Sequence, residues 1–193
     1  MLMTNDNIKF YPHDKFMKHT VLRLVPEWVT PNHVTILRFL LTPWVLYFLW
    51  IENWPVALVF FLLAGLTDAI DGSLARVRKQ ITLWGTIADP MADKLLIGLV
   101  VILFVAREVN PLFALIIIFV ELLIAFSGFW RSRRGEISSA NNYGKLKMLF
   151  QVAGVALLLF ARLLGLPLVV PFATGTLTIA IVFAVVSLLT YGI

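Results

Sequence analysis

The stretch Thr67–Leu96, TDAIDGSLARVRKQITLWGTIADPMADKLL, decides how the rest of the chain is read. It holds Asp68, Asp71, Asp89 and Asp93, four of only eleven acidic residues in 193, and apolar sequence encloses it on both sides. Asp68 and Asp71 are three apart and Asp89 and Asp93 four apart, so on helices each pair shares one face. A carboxylate near the middle of a bilayer costs roughly 2.5–3.5 kcal/mol on insertion scales, so four together need a compensating partner. A divalent cation is the natural one, and an oxygen-only ligand set suits Mg²⁺, Mn²⁺ or Ca²⁺ rather than zinc.

The surrounding composition fixes the class. The chain is 60% hydrophobic and 14% charged, with a mean hydropathy of +0.91. A water-soluble domain does not need that many apolar residues, so an all-α polytopic membrane protein is expected. Cysteine is absent, which excludes disulfides, thiolate nucleophiles and zinc–sulfur sites. In a membrane protein the net charge of +5 points to loops and anionic headgroups, and no nucleic-acid partner is expected. Met1 to Asn7 is polar and lacks the apolar run of a cleavable signal.

Working outward, six apolar segments reach the roughly 20 residues needed to span. They are 33–51, 54–75, 86–106, 111–130, 144–164 and 167–191. Breakers at Asn53–Trp54–Pro55, Asn110–Pro111 and Gly165–Leu166–Pro167 mark three tight turns between them. Ahead of the spans, His13 to Trp28 mixes Phe16, Val21, Leu22 and Leu24 with Lys15, Lys18 and Arg23. That pattern predicts an amphipathic helix lying in the interface, with Trp28 as an anchor. The whole is expected to be one membrane domain, with 1–30 as a juxtamembrane segment and 31–193 as a six-helix bundle.

Cations are distributed unequally. Lys9, Lys15, Lys18 and Arg23 precede the first span, Arg76, Arg78 and Lys79 follow the second, and Arg131, Arg133, Arg134, Lys145 and Lys147 lie between the fourth and fifth. The other side has Arg107 and Arg162. The positive-inside rule then predicts that both termini and the Asp-rich connection face the cytoplasm.

If the second and third spans are antiparallel neighbours, the four carboxylates converge at one depth. Gly72, Ala75 and Gly85 leave room for something bulky to approach the backbone. Arg76, one turn past Gly72, is placed to meet anionic oxygen. Carboxylates, a divalent metal and an arginine form the recurring kit for handling phosphates. A single intramembrane acid is more often a packing partner or an ion-pathway residue, and a cation-coupled transporter is the competing class. A transporter predicts acids scattered along a path and repeated or broken helices, whereas here the acids cluster and no internal repeat is evident.

The pattern Asp68-x2-Asp71-Gly72-x2-Ala75-Arg76-x8-Gly85-x3-Asp89-x3-Asp93 resembles the signature of the CDP-alcohol phosphotransferase family, with eight positions matching over 26 residues. The resemblance implies a homodimeric integral membrane enzyme that transfers a phosphatidyl-type group from a CDP-diacylglycerol-type lipid to an alcohol and releases CMP. It implies two Mg²⁺ or Mn²⁺ ions held by Asp68, Asp71 and Asp89, with Asp93 as general base and further ligand. Gly72, Ala75, Arg76 and Gly85 would line the CDP-lipid site. Thr30–Arg38, TPNHVTILR, resembles the segment that opens the first span in many members. There Asn32 and Thr35 are expected to hydrogen-bond the nucleotide, and Arg38 to be structural.

Two further segments bear on the acceptor. Asp89–Leu96, DPMADKLL, is similar to the variant found in phosphatidylglycerophosphate synthases and eukaryotic-type cardiolipin synthases, and Gly144–Lys145–Leu146–Lys147 with Gln151 resembles a segment of the same subgroup. The resemblance therefore implies a small phosphorylated alcohol, glycerol 3-phosphate, with Arg131, Arg134 and Lys145 binding its phosphate. Phosphatidylglycerol, inositol phosphate and serine are the alternatives within the family. One departure is that glycerophosphate-using members carry an Arg–Glu pair early in the fourth span, where this chain has Val120–Glu121. Glu121 is expected to be a paired helix residue.

Overall fold

The computed structural model describes residues 23, 25, 26, 28–78, 83–133 and 142–191. Every regular element among them is helical. The elements are α1 (Pro31–Trp50), α2 (Trp54–Val77), α3 (Leu83–Val100), a π-helical turn (Val101–Val105), α4 (Ala106–Glu108), α5 (Pro111–Arg133), α6 (Asn142–Leu164) and α7 (Val169–Tyr191). The interfacial helix expected over 13–28 lies outside the described residues, apart from Arg23, Val25, Pro26 and an exposed Trp28.

Five helices are long and apolar enough to cross a membrane: Pro31–Trp50, Trp54–Val77, Pro111–Gly128, Asn142–Leu164 and Val169–Thr190. At 1.5 Å per residue, about 20 residues cover the roughly 30 Å of a hydrocarbon core. The remaining helical run, Leu83 to Glu108, is continuous through its π turn but carries Asp89, Asp93 and Lys94 in its first half. Six spans were expected; five helices meet the length and composition of a span, and the run from Leu83 has the length but carries three charged residues in its first half. Large apolar side chains point outward, among them Leu40, Phe119, Leu122, Phe126 and Phe172. Water would penalise these surfaces and lipid tails do not, so the chain is an integral membrane protein.

The three breaks have local causes. After α1, the Asn53 amide donates to the Phe48 carbonyl (2.9 Å) and Glu52 to Leu49 (3.3 Å), with Glu52 at φ 58°. After α6, Leu166 donates to Ala161 (2.9 Å) and Gly165 to Arg162 (3.4 Å), with Gly165 at φ 63°. Both are Schellman ends, which need one residue in the left-handed region. Asn53 and Asn110 then cap the next helices through Oδ1, which accepts from Val56 N (3.4 Å) and Leu112 N (2.8 Å) respectively.

The described residues form two compact units. The first takes the chain up to Tyr47 together with Val59–Leu96. Val34 and Leu74 are buried at its centre, with Val25, Val29, Ile70 and Val77 packed against them. Arg78, just past α2, donates through Nη2 to the Val25 carbonyl (2.8 Å) and through Nη1 to those of Val29 (2.7 Å) and Pro26 (3.1 Å). The segment before α1 is thereby tied to the end of α2.

The second unit takes Phe48–Leu58 and Ile97–Ile193. Its α6 and α7 pack so closely that a Cβ added at Gly154 would lie 2.6 Å from Leu177 Cγ. Small residues at such contacts let helix backbones approach in lipid. Arg107 pairs with Glu52 and Glu108, and Arg162 also pairs with the nearly buried Glu108. The two arginines counted on the less basic side are therefore each matched to a carboxylate.

Candidate active site

α1 and α2 bring a polar stripe into contact with an acid pair. On α1, Thr35, Arg38 and Thr42 recur at three- and four-residue spacing and are all buried in an otherwise apolar helix. On α2, Thr67, Asp68 and Asp71 face them. Arg38 is fully buried, with Nη1 3.2 Å from Asp68 Oδ1 and Nη2 2.5 Å from Asp71 Oδ2. Its Nε donates to Thr67 Oγ1 (3.2 Å), and that hydroxyl donates to the Ala64 carbonyl (2.6 Å). The Thr35 hydroxyl lies 3.3 Å from the Pro31 carbonyl and 3.5 Å from Asp71 Oδ2.

Removing one partner of a buried ion pair strands a charge, so this cluster stands or falls together. Asp71 is 2% exposed and Asp68 29%, which leaves Asp68 as the more open end. One guanidinium against two carboxylates sums to −1. Sequence reading took Arg38 as structural without assigning it a partner. The signal was there: a lone arginine inside an apolar helix must find an acid.

The other signature residues fall as follows. Gly72 is half-buried on α2, and a Cβ there would lie 3.4 Å from Arg76 Nη1 and 3.6 Å from Nη2. The Arg76 guanidinium thus folds back along its own helix over the glycine. Ala75 and Asn32 are half-buried, and Gly85 is buried on α3. Gly85, Ala88, Ala92 and Leu96 form one packed face of that helix. Asp89 and Asp93 are helical positions of α3 whose side chains lie outside the description, so their convergence with Asp68 and Asp71 is not described either.

The acceptor candidates are separated in the same way. Arg131 is in the last turn of α5 with its side chain outside the description, and Arg134 lies outside the described residues. Lys145 is exposed in the first turn of α6. Lys147 donates to Glu121 Oε1 at 2.6 Å beside the buried Gln151, so Glu121 is a paired helix residue. Lys147 was counted among the cations between the fourth and fifth spans, and its charge is met within the protein.

The described donors around Asp68 and Asp71 are carboxylate and hydroxyl oxygens, and their net charge is negative. That chemistry fits Mg²⁺ or Mn²⁺ and does not fit zinc. Among the described residues no group of three His, Cys, Asp or Glu side chains gathers, Asp68 and Asp71 being the described acids of the site.

Asp68 and Asp71 thus stand on one helix of a membrane-embedded chain, tied to a buried arginine of the preceding helix and followed on their own helix by Gly72 and Arg76. The chain belongs to the CDP-alcohol phosphatidyltransferase family, whose model matches residues 28–190. It is 32% identical over 173 residues to a CDP-diacylglycerol–glycerol-3-phosphate 3-phosphatidyltransferase of Bacillus subtilis (strain 168), covering 81% of this chain and 90% of that protein. Proteins of the same name from Aquifex aeolicus (strain VF5) and Haemophilus influenzae (strain Rd) are each 33% identical. The first match covers 62% of this chain and 69% of the relative, and the second 67% and 75%.

Proposed function

We propose that this protein makes phosphatidylglycerophosphate, transferring the phosphatidyl group of CDP-diacylglycerol to glycerol 3-phosphate and releasing CMP. The observation that carries this reading is the Arg38-bridged pair Asp68–Asp71, standing inside an eight-position signature in a chain matched over 28–190. The acceptor is supported by the names of the relatives and by the basic residues around the start of α6.

In this reading Asp68, Asp71, Asp89 and Asp93 hold two Mg²⁺ or Mn²⁺ ions. Such ions supply neutralisation of charge on the phosphoryl oxygens and on the departing CMP. Arg76 binds the diphosphate, with Gly72, Ala75 and Gly85 giving the nucleotide access to backbone and Asn32 and Thr35 contributing hydrogen bonds. Arg131, Arg134 and Lys145 hold the acceptor phosphate. Asp93 takes the proton of the glycerol hydroxyl as that oxygen bonds to the β-phosphorus. The bond from phosphorus to the CMP oxygen breaks, and CMP leaves with the electron pair. In-line attack requires no covalent enzyme intermediate.

The single domain spans the membrane six times, the charged run Leu83–Glu108 being the third span. Both termini and the acid-rich site face the cytoplasm, where CDP and glycerol phosphates are met, and the working form is a homodimer. The test is direct. Purified protein in detergent is incubated with CDP-diacylglycerol, Mg²⁺ or Mn²⁺, and separately with glycerol 3-phosphate, serine, inositol phosphate or phosphatidylglycerol. CMP release and a mass-identified phosphatidylglycerophosphate with glycerol 3-phosphate alone is the expected result. Product with one of the other alcohols instead would overturn the acceptor, and no CMP with any would overturn the reaction.

A further inference from the structure

We propose that Arg38 is the positioning residue of the metal site. Its guanidinium holds the carboxylates of Asp68 and Asp71 in the orientation that receives the ions and so sets how tightly metal is bound. The inference rests on the metal reading above and assigns a role within it to a residue outside the acid signature.

Three contacts fix the guanidinium plane. Nη1 meets Asp68 Oδ1 (3.2 Å), Nη2 meets Asp71 Oδ2 (2.5 Å) and Nε donates to Thr67 Oγ1 (3.2 Å). Thr67 is itself fixed, because its hydroxyl donates to the Ala64 carbonyl (2.6 Å). A carboxylate on its own turns freely about its last torsion, which is broad and roughly two-fold. A planar fork whose two ends bind two carboxylates removes that freedom for both at once. Full burial excludes water as a substitute partner. Groups that orient metal ligands from outside the coordination sphere change metal affinity about 10- to 100-fold when mutated.

A different role would be simple charge balance, with Arg38 as a cation that the metal must outcompete. The two roles predict opposite signs. If Arg38 only competes, removing its charge tightens metal binding. If it positions, keeping the charge without the fork still weakens binding.

The experiment measures Mn²⁺ binding to the full-length protein in detergent, without substrate, from the electron paramagnetic resonance signal of free Mn²⁺. Arg38→Lys keeps the charge and loses the fork, and Mn²⁺ affinity should fall about 10- to 100-fold. Arg38→Gln should also weaken it. Thr67→Val removes the third contact together with the hydroxyl's own bond to the Ala64 carbonyl, keeps both carboxylate contacts, and should weaken binding by less, with the melting temperature nearly unchanged. Wild-type affinity in Arg38→Lys, or tighter binding in Arg38→Gln, overturns the proposal. Where the Arg38 variants do not fold, Thr67→Val decides, and wild-type affinity there overturns it. Asp68→Asn and Asp71→Asn test the underlying metal reading separately. If both keep wild-type Mn²⁺ affinity, that reading falls, and if they lose it while Arg38→Lys does not, only the role of Arg38 falls.

Discussion

Lys147 Nζ lies 2.6 Å from Glu121 Oε1, across from α6 to α5, with both side chains more than four-fifths shielded. One of the five cations clustered between the fourth and fifth spans is therefore committed inside the protein. Lys145, two residues earlier, is exposed and is the cation of this helix proposed above to meet the acceptor phosphate. Losing one charge-assisted contact costs on the order of 1.5–3 kcal/mol, or about ten- to a hundred-fold. Lys145→Ala should raise the KM for glycerol 3-phosphate by that factor and leave the KM for CDP-diacylglycerol unchanged. Lys147→Ala should instead lower thermal stability, and Glu121→Gln on that background should recover part of the loss. Steady-state kinetics and melting curves on the same four proteins check both statements.

Gly72→Ala probes the seat of Arg76. The new Cβ would sit 3.4 Å from Nη1, at the edge of ordinary contact with the far end of a flexible side chain, so the fold should tolerate it while the space over Gly72 narrows. The expected outcome is an unchanged melting temperature with a weaker response to CDP-diacylglycerol, and Arg76→Ala should show a larger effect with a fall in kcat. A loss of stability at Gly72→Ala without a kinetic change would contradict this.

The two acids bridged by Arg38 should differ in stability when removed, although both substitutions should abolish CMP release. Asp71 is buried, and breaking a buried pair costs about 3–5 kcal/mol. Asp68 is partly open, and its loss should cost well under half of that. Asp71→Asn should therefore melt at a clearly lower temperature than Asp68→Asn. Equal melting temperatures would mean that Arg38 does not depend on Asp71.

Gly154→Ala should destabilise by about 1–3 kcal/mol, since a Cβ 2.6 Å from Leu177 Cγ forces α6 and α7 apart. Leu177→Ala should relieve the clash, so the double variant should melt above Gly154→Ala alone. Failure of that rescue would show that the nearby Ala173 carbonyl, at 3.3 Å, sets the limit instead.

Orientation is open to a clean test, because the chain has no cysteine to interfere. A cysteine introduced at Lys79 or Arg133 should react with an impermeant maleimide only from the cytoplasmic side, and one at Asn110 only from the other. The reverse pattern would refute the positive-inside reading.

Much of the framework was legible because it depends on local chemistry. Asn53, Asn110 and Gly165 mark helix ends by capping and by left-handed backbone, and those ends appear where the residues stand. Partners distant in sequence were not legible in the same way. Arg38 was read only as structural, and its pairing with Asp68 and Asp71 depends on how α1 lies on α2. Glu121 was expected to be paired, but its partner Lys147, 26 residues on, was read only as one of the cations between the fourth and fifth spans. The π turn at Val101–Val105 left no trace in an apolar run whose periodicity is carried equally well by an α-helix. Nothing in the local sequence marks Glu108 as buried, and its burial goes with Arg162 reaching it from α6.

The three carbonyls that accept from Arg78 couple the segment before α1 to the end of α2. Arg76 is two residues away on the same helix end, so a change at Val25–Val29 would reach the arginine proposed to bind the diphosphate without passing through α1. A chain shortened to begin at Thr30 would keep every residue of the signature and remove all three of those acceptors. Its substrate affinity would then report on the anchorage of a helix end rather than on any contact with substrate, and a fusion partner placed close to Val25 would act on the same lever.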